Sequence, residues 1–532
     1  MPMKKQTAIL IYLSLILFIF GATATLAQQP TELKLDPLMF VSLKECRNIS
    51  KQIGPALFPG WQFEKTPVLF YRPNVQEILI NYPHQPKGFK EFTGLTPLGK
   101  EKLYYRNDTT FFDIDGQNTA FNIDGIRVLV VADRSSNLRN QLVDVALNRP
   151  KEDAQKYFDT WGFMPSAYDD IFTILHESFH VYQRANAPKK FANEATVVNY
   201  PVLDPVNNAL YMLEGKALRD ALLAKTASES LEKAKQFVAV RSYRQSLLDS
   251  TSVEYENLNE YAEGLAKYIE FAFAKKGTAL IPGAEMRYFQ GFNGYGTALS
   301  KALEEKINKM VEFVSVSNNA FSNKFGTGPL RFKLYSLGAC EGLLLDQLMP
   351  TWKSQIFKDK KYLAELLKES VHLSPQQLQQ YLQAAKTAYN YEQAYADKLQ
   401  FEKDGQAFAQ SKADKILKTD KTLVRISFGG FVDKAFLSRF TPFGVTKVNP
   451  SQNIYDLVPV LIGFKAGVSL DLKQPIPVLV DKEQKQVLFV ANISPAEIKT
   501  SGENRIENSD FVLFGTTLEI SVSGNIVDIK LK

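Results

Sequence analysis

Two histidines spaced four residues apart constrain this chain more than any other feature. The segment His176-Glu177-Ser178-Phe179-His180 reads H-E-x-x-H, and on a helix this spacing places both imidazoles on one face beside the glutamate. The flanking residues are largely apolar, which predicts a buried helix in which unpaired polar side chains would be costly. The chain has only four histidines, and two of them lie here. The pattern predicts a zinc site with His176 and His180 as ligands and Glu177 as the group that activates water; a chance match on a solvated helix is the alternative.

The N-terminal segment has the three parts of a secretory signal peptide. Lys4 and Lys5 precede an apolar run over residues 8–20, and small residues lead to Ala27. We expect cleavage after Ala27, which removes residues 1–27, and a secreted or periplasmic location. A membrane anchor is the alternative, but the apolar run is short for a bilayer span. No later apolar run is long enough to cross a bilayer, so the sequence predicts no stable membrane span after cleavage.

Length, charge and cysteine content narrow the class of protein. The 532 residues are too many for one hydrophobic core, which predicts two or three domains. The net charge of +6 is modest and no dense basic stripe occurs, so we expect no nucleic-acid partner. Cys46 and Cys340 either form one long-range disulfide or remain thiols, and Cys340 lies in an apolar segment typical of a buried free thiol. The oligomeric state is not readable from the sequence.

Hydrophobic periodicity predicts an α+β fold in three parts after the signal peptide. Residues 28–165 form a strand-rich N-terminal part, residues 166–403 a helical part that carries the H-E-x-x-H segment, and residues 404–532 a β-rich C-terminal domain. Ser166 and Asp169 can form a capping box that starts the histidine-bearing helix. Residues 127–131 form the strongest strand, which either is buried in the sheet interior or borders the cleft and pairs with an extended peptide. The predicted strands are 66–71, 77–80, 103–106, 125–132, 423–428, 458–464, 478–480, 487–491, 511–514, 518–522 and 526–531, and the predicted helices are 209–224, 231–248, 255–274, 334–348 and 375–400.

A catalytic zinc site needs a third protein ligand. The remaining histidines, His84 and His372, lie in loop or junction sequences, so a carboxylate is the better candidate. The segment 262–270, Ala-Glu-Gly-Leu-Ala-Lys-Tyr-Ile-Glu, resembles the N-E-G-F-A-x-Y-x-E segment of aminopeptidase-N-like gluzincins, and the resemblance implies that Glu263 is the third ligand. The segment 335–339, Tyr-Ser-Leu-Gly-Ala, looks like the Y-x-K-G-A segment of that family, which implies that Tyr335 stabilises the oxyanion. The resemblance thus implies a gluzincin-like catalytic region.

The chain also departs from the family pattern. Eighty-three positions separate His180 from Glu263, so we expect an inserted helical pair, at about residues 209–248, to loop out. That insertion contains a second Glu-Gly pair at Glu214, which leaves Glu214 as the rival third ligand. A further alternative is that Glu263 lies with Glu256, Glu260 and Glu270 on one solvated helix face. Leu337 replaces the family's lysine and the G-x-M-E-N segment is absent, which argues against an exopeptidase acting on free amino termini.

The expected activity follows from these residues. Zinc would polarise a carbonyl, Glu177 would act as general base, and Tyr335 with the metal would stabilise the oxyanion. We therefore expect an exported zinc metallopeptidase whose partner is a peptide or protein substrate. A zinc hydrolase acting on a non-peptide amide or ester is one alternative, and a catalytically inactive zinc-containing binding protein is another. Glu177 and Tyr335 argue against the last alternative, because a structural zinc needs neither.

Overall fold

The protein is a mixed α+β molecule with strands towards both ends of the chain. The computed structural model describes residues 31–107, 118–134, 166–316, 323–428, 445–455, 461–463, 469–473, 476–502, 504–515 and 517–531. The predicted signal peptide, residues 1–27, lies outside them. Within the described ranges, no helix has the length and apolar character needed to cross a membrane.

Eleven α-helices and seventeen strands occur in the described residues. The helices are α1 (Pro37–Leu57), α2 (Ala167–Asn186), α3 (Pro205–Leu223), α4 (Ala227–Ser246), α5 (Ser250–Asn259), α6 (Leu265–Lys276), α7 (Gly296–Ser315), α8 (Gly328–Leu348), α9 (Leu363–Val371), α10 (Pro375–Ala388) and α11 (Tyr391–Leu417). The strands are β1 (Val68–Arg72), β2 (Gln76–Ile80), β3 (Lys90–Glu91), β4 (Leu103–Arg106), β5 (Thr119–Ile123), β6 (Ile126–Ala132), β7 (Thr422–Ser427), β8 (Val445–Lys447), β9 (Gln452–Tyr455), β10 (Leu461–Gly463), β11 (Ser469–Leu472), β12 (Val478–Asp481), β13 (Gln486–Ala491), β14 (Arg505–Glu507), β15 (Phe511–Phe514), β16 (Leu518–Ser523) and β17 (Ile526–Leu531).

The chain divides into two compact units, and the division falls within α1 and α2. The first unit contains a six-stranded sheet of order β3-β4-β2-β1-β6-β5, in which only β1 and β6 run parallel. Helix α1 packs on this sheet, where the rings of Phe40 and Phe70 meet edge to face at 5.3 Å. The strand predicted at residues 127–131 lies in the interior, because β1 and β5 occupy both of its hydrogen-bonding edges. Of the two alternatives for this strand, burial in the sheet interior is the one observed, and pairing with an extended peptide is excluded because β6 has no free edge.

The second unit contains helices α3–α11 and two further sheets. The seven-stranded sheet has the order β16-β17-β7-β13-β12-β9-β8, and the four-stranded sheet has the order β10-β11-β15-β14. Apolar residues of the two sheets form one buried cluster, with Phe489 and Phe511 in edge-to-face contact at 5.2 Å. On the opposite face of the larger sheet, Leu423 and Leu488 pack against Ile416 of α11. All four residues of β12 are buried, as expected for a strand of a sheet that is covered on both faces.

Three of the differences between the predicted and the observed elements have a clear cause in the structure. The part predicted to be strand-rich, residues 28–165, begins with the helix α1, whose buried positions Phe40, Leu43 and Cys46 recur at helical spacing. The helix predicted at residues 375–400 is two helices, because Asn390 has a left-handed backbone (φ 53°) that interrupts the helical path. The second of them continues to Leu417, past the predicted change at residue 404, because its last turns bury Ala413 against the sheet.

Candidate metal centre

Helix α2 carries the H-E-x-x-H segment and begins as the sequence predicts. The Ser166 hydroxyl accepts a hydrogen bond from the Asp169 backbone at 3.2 Å, and the Asp169 carboxylate accepts one from the Ser166 backbone at 3.0 Å, which forms a capping box. Phe179 is fully buried and packs against Phe58 at 4.9 Å. His176 is buried, whereas Glu177 and His180 are partly exposed. The apolar face of the helix is thus buried, and the side chains of Glu177 and His180 lie on a different, partly exposed face.

Glu263 lies near both histidines although it is far along the chain. Ligand atoms of His176, His180 and Glu263 all lie within 4.8 Å of one another, and His180 Nε2 is 3.4 Å from Glu263 Oε2. A tetrahedral ion with bonds of about 2.0–2.1 Å holds neighbouring ligand atoms roughly 3.3 Å apart. Two imidazoles and a carboxylate are the donor types that zinc takes in catalytic sites. The three residues therefore have the donor types of a zinc site, and the separation between His180 and Glu263 is close to that spacing.

A π-helical turn brings Glu263 to this position. Residues Glu260–Gly264 form one π turn between α5 and α6, with the backbone N–H of Leu265 bonded to the carbonyl of Glu260. The extra residue changes the direction of the side chains that follow it, and such turns are frequent at functional sites. Glu263 and the three other glutamates that the sequence placed on one helix face consequently have different surroundings. Glu256, Glu260 and Glu270 are buried in ion pairs, so the alternative of a single solvated face is wrong.

Gln183 fixes the orientation of His180. Its amide nitrogen donates to the backbone carbonyls of Tyr261, at 2.6 Å, and Ala262, at 3.0 Å, both within the π turn. The amide oxygen must then face His180, and it lies 2.9 Å from Nδ1. Because that oxygen only accepts, Nδ1 carries a proton, and Nε2 is the nitrogen that faces Glu263 and would be available to a metal. Gln183 therefore sets the tautomer that metal binding requires.

Tyr335 and Arg331 lie one helical turn apart on α8 and reach Glu263. The Arg331 guanidinium donates through Nη2 to Glu263 Oε1 at 3.1 Å and to the Tyr335 hydroxyl at 2.8 Å. Arg331 also pairs through Nη1 with Glu194 Oε1 at 3.2 Å. Burial and the adjacent charge of Glu263 raise the pKa of Tyr335, so its phenol stays protonated and able to donate a hydrogen bond.

Glu214 lies in a separate buried cluster of ion pairs. Its carboxylate is fully buried and bonds to Arg241 Nε at 3.0 Å and to Arg244. Arg244 also binds Glu256 at 2.6 Å, and Arg241 binds Glu260. With two guanidinium partners, the Glu214 carboxylate is already neutralised, and the one group of converging ligand atoms in the described residues does not include it. The insertion between the histidines and Glu263 is therefore a pair of helices, α3 and α4, joined by buried ion pairs.

The other residues considered from the sequence lie elsewhere. His84 is in a loop with its ring 5.3 Å from that of Tyr82, and His372 ends α9 with a left-handed backbone. Neither belongs to the converging group. Cys46 and Cys340 are both buried free thiols, so the long-range disulfide does not form.

Sequence analysis missed Gln183 and Arg331. Gln183 follows His180 by three positions, and Arg331 precedes Tyr335 by four, so both spacings place the pair on one helix face. That spacing is the signal that could have pointed to them. No protein-family model matches the chain, and no curated protein or solved structure matches it significantly. The candidate site consequently rests on the arrangement of this chain's own residues.

Proposed function

We propose that the protein is an exported zinc-dependent hydrolase, and specifically a metallopeptidase of the gluzincin type. The observation that carries the proposal is the convergence of His176, His180 and Glu263 within 4.8 Å, although 83 positions separate the last two. Glu177 on the same helix and Tyr335 beside Glu263 add the two groups that hydrolysis of a carbonyl compound requires. A structural zinc site, in contrast, needs four protein ligands and neither of these groups.

Each side chain has a distinct part in the proposed reaction. A zinc ion held by His176, His180 and Glu263 would supply a Lewis acid and lower the pKa of a coordinated water. Glu177 accepts the proton of the attacking water as general base and returns it to the leaving amine. Tyr335 donates a hydrogen bond to the oxygen that becomes negatively charged.

Metal analysis and substrate digestion together test this proposal. We expect the protein purified without added metal to contain close to one zinc per chain, and His180→Ala to contain far less. A peptide library should be cleaved by the wild type and not by Glu177→Gln, and a chelator should stop cleavage until zinc is restored. A protein without zinc would contradict the metal site. Zinc without peptide cleavage, but with turnover of amides or esters, would retain a hydrolase and exclude the peptidase.

The export part of the proposal rests on residues 1–27 and has its own test. The basic, apolar and small-residue parts of that segment support cleavage after Ala27. N-terminal sequencing of protein recovered from outside the cytoplasm should begin at Gln28. A sequence that begins at Met1 would contradict the export prediction and leave the hydrolase proposal intact.

A further inference from the structure

The guanidinium of Arg331 contacts three acidic or phenolic side chains near the candidate metal centre. Its Nη2 lies 3.1 Å from Glu263 Oε1 and 2.8 Å from the Tyr335 hydroxyl, and its Nη1 lies 3.2 Å from Glu194 Oε1. Glu194 in turn accepts a hydrogen bond from the Tyr255 hydroxyl at 2.9 Å. Arg331 is only 14% exposed, so these contacts are largely shielded from water. Such charge-assisted hydrogen bonds are the strong ones in proteins.

The two carboxylate oxygens of Glu263 have different neighbours. Oε2 lies 3.4 Å from His180 Nε2, whereas Oε1 accepts from Arg331. A carboxylate bonded in this way cannot rotate freely about its last torsion, and Oε2 remains directed towards the histidines. Proteins hold ligating carboxylates in the same manner, with hydrogen bonds to the oxygen that does not bind the metal.

The same guanidinium nitrogen determines which bond Tyr335 can make. A guanidinium has only donors, so the Tyr335 oxygen must accept the bond from Arg331 with a lone pair. The phenolic O–H is then the donor of this group, and Glu263 is the acceptor beside it. This is the role that the proposed mechanism gives to Tyr335, and Arg331 orients the group for it.

We propose that Arg331 is a positioning residue that couples the third metal ligand to the oxyanion-stabilising tyrosine. The inference rests on the proposed function, because it assigns Glu263 and Tyr335 the roles given above. In this proposal Arg331 acts through these two side chains and not on the reacting bond or the metal, and Glu194 holds its other terminal nitrogen, Nη1. A lysine at this position would keep the charge but lose the planar fork that reaches all three partners.

Four variants test the coupling in the full-length protein: Arg331→Ala, Arg331→Lys, Tyr335→Phe and, as a control, Arg287→Ala, which removes an exposed arginine. Zinc affinity is measured by competition with a chelator, and the visible absorption of the cobalt-substituted protein reports ligand geometry. We expect Arg331→Ala to weaken zinc binding by about 10–100-fold and to change the cobalt spectrum. Its kcat should fall with little change in KM, since the proposal gives Arg331 no contact with the substrate. Tyr335→Phe should lower kcat while zinc affinity stays near that of the wild type.

Chemical rescue separates positioning from a general loss of structure. Low, non-denaturing concentrations of guanidinium ion should restore part of the activity of Arg331→Ala and none of that of Tyr335→Phe. Arg331→Lys should keep the fold, as judged by the melting temperature of the metal-free protein, and still lose zinc affinity and kcat. If Arg331→Ala fails to fold, the zinc affinity and kcat of Arg331→Lys test the inference in its place. Wild-type zinc affinity together with wild-type kcat in the folded Arg331 variants would overturn the inference. A wild-type protein that binds no zinc would instead overturn the proposed function.

Discussion

Gly264 and Gly338 lie directly against each other where the π turn meets α8. A methyl group on Gly264 would lie 2.7 Å from Gly338 Cα, and one on Gly338 would lie 2.8 Å from Gly264 Cα. Both distances are too short for real carbon atoms, so the contact requires glycine on both sides. Glu263 immediately precedes the first glycine, and Tyr335 is three residues before the second. The close approach of the two backbones therefore brings the proposed third ligand next to the proposed oxyanion donor.

Replacing Gly264 by alanine should disturb the fold and the metal centre together. The added methyl group meets backbone atoms that cannot turn aside, and overpacking of this kind costs about 1–3 kcal/mol. We expect Gly264→Ala to lower the free energy of unfolding by this amount and to weaken zinc binding. Gly296→Ala is the matched control, because a methyl group there would meet no atom within 4 Å. Urea unfolding and chelator competition measure both effects; two variants with equal stability would contradict the argument.

The glycine contact shows why the sequence was sufficient to select the candidate site residues. The H-E-x-x-H spacing is local, so His176 and His180 on one helix face could be inferred from helix geometry alone. Glu263 and Tyr335 could be selected only through a resemblance that includes Gly264 and Gly338, and these glycines are the ones that bring the two segments into contact.

Features that depend on long-range packing could not be read in the same way. Glu214 has the same Glu-Gly pair as Glu263, and only the presence of Arg241 and Arg244 around it distinguishes a buried ion-pair partner from a ligand. The edge or interior position of β6 depends on which strands pair with it, and its residues 128–132 are apolar in either case. The π turn likewise has no local sequence signal that we could recognise.

The two rival glutamates should respond to substitution in opposite ways. Glu263→Ala removes a proposed ligand, and its partner Arg331 keeps the ion pair with Glu194, so zinc affinity should fall sharply while the metal-free protein stays folded. Glu214→Ala leaves Arg241 and Arg244 buried without part of their countercharge, and losing one partner of a buried pair costs about 3–5 kcal/mol. Chelator competition and urea unfolding of both variants check the ranking. If Glu214→Ala lost zinc while keeping its stability, Glu214 would have to be the ligand.

Gln183 offers a test of the proposed histidine tautomer. Gln183→Met keeps the approximate length of the side chain but removes the acceptor for His180 Nδ1 and the donor for two carbonyls of the π turn. Loss of such an orienting partner typically costs 10–100-fold in metal affinity, so we expect a decrease of about this size. Arg184→Ala, an exposed neighbour on α2, serves as the control. Equal zinc affinities in the two variants would mean that Gln183 does not orient the ring.

Glu177→Gln should separate metal binding from turnover. Glutamine has nearly the same shape as glutamate but cannot accept the water proton, and Glu177 is not among the converging ligands. General-base catalysis is worth a factor of about 10²–10⁴, so kcat should fall by that factor while zinc content stays at the wild-type value. Single-substrate kinetics on a peptide found in the library digest, with zinc analysis of the same sample, measure both. Activity retained at more than about a tenth of the wild-type rate would remove Glu177 from the role of base.

The buried Lys333 on α8 should make the free energy of unfolding depend on pH. Burial, with a smaller contribution from the charge of Lys398, lowers the pKa of Lys333 to about 7, and its amine donates only to Asn208, at 3.0 Å, among the bonds described. Between pH 7 and about 10.5 the unfolded chain therefore holds a proton on this amine that the folded chain has released, so this group makes the free energy of unfolding rise with pH. Below pH 7 the folded protein must bury the ammonium, and the free-energy cost of that burial is fully present.

Lys333→Met removes that charge. We therefore expect this variant to be more stable than the wild type at pH 6 by about 1–3 kcal/mol and to show a smaller rise in the free energy of unfolding between pH 7 and 10. Urea unfolding at pH 6, 8 and 10 measures the difference from the wild type, with the exposed Lys301→Met as the control; a variant that is no more stable than the wild type at pH 6 would show that the charged amine is accommodated without cost.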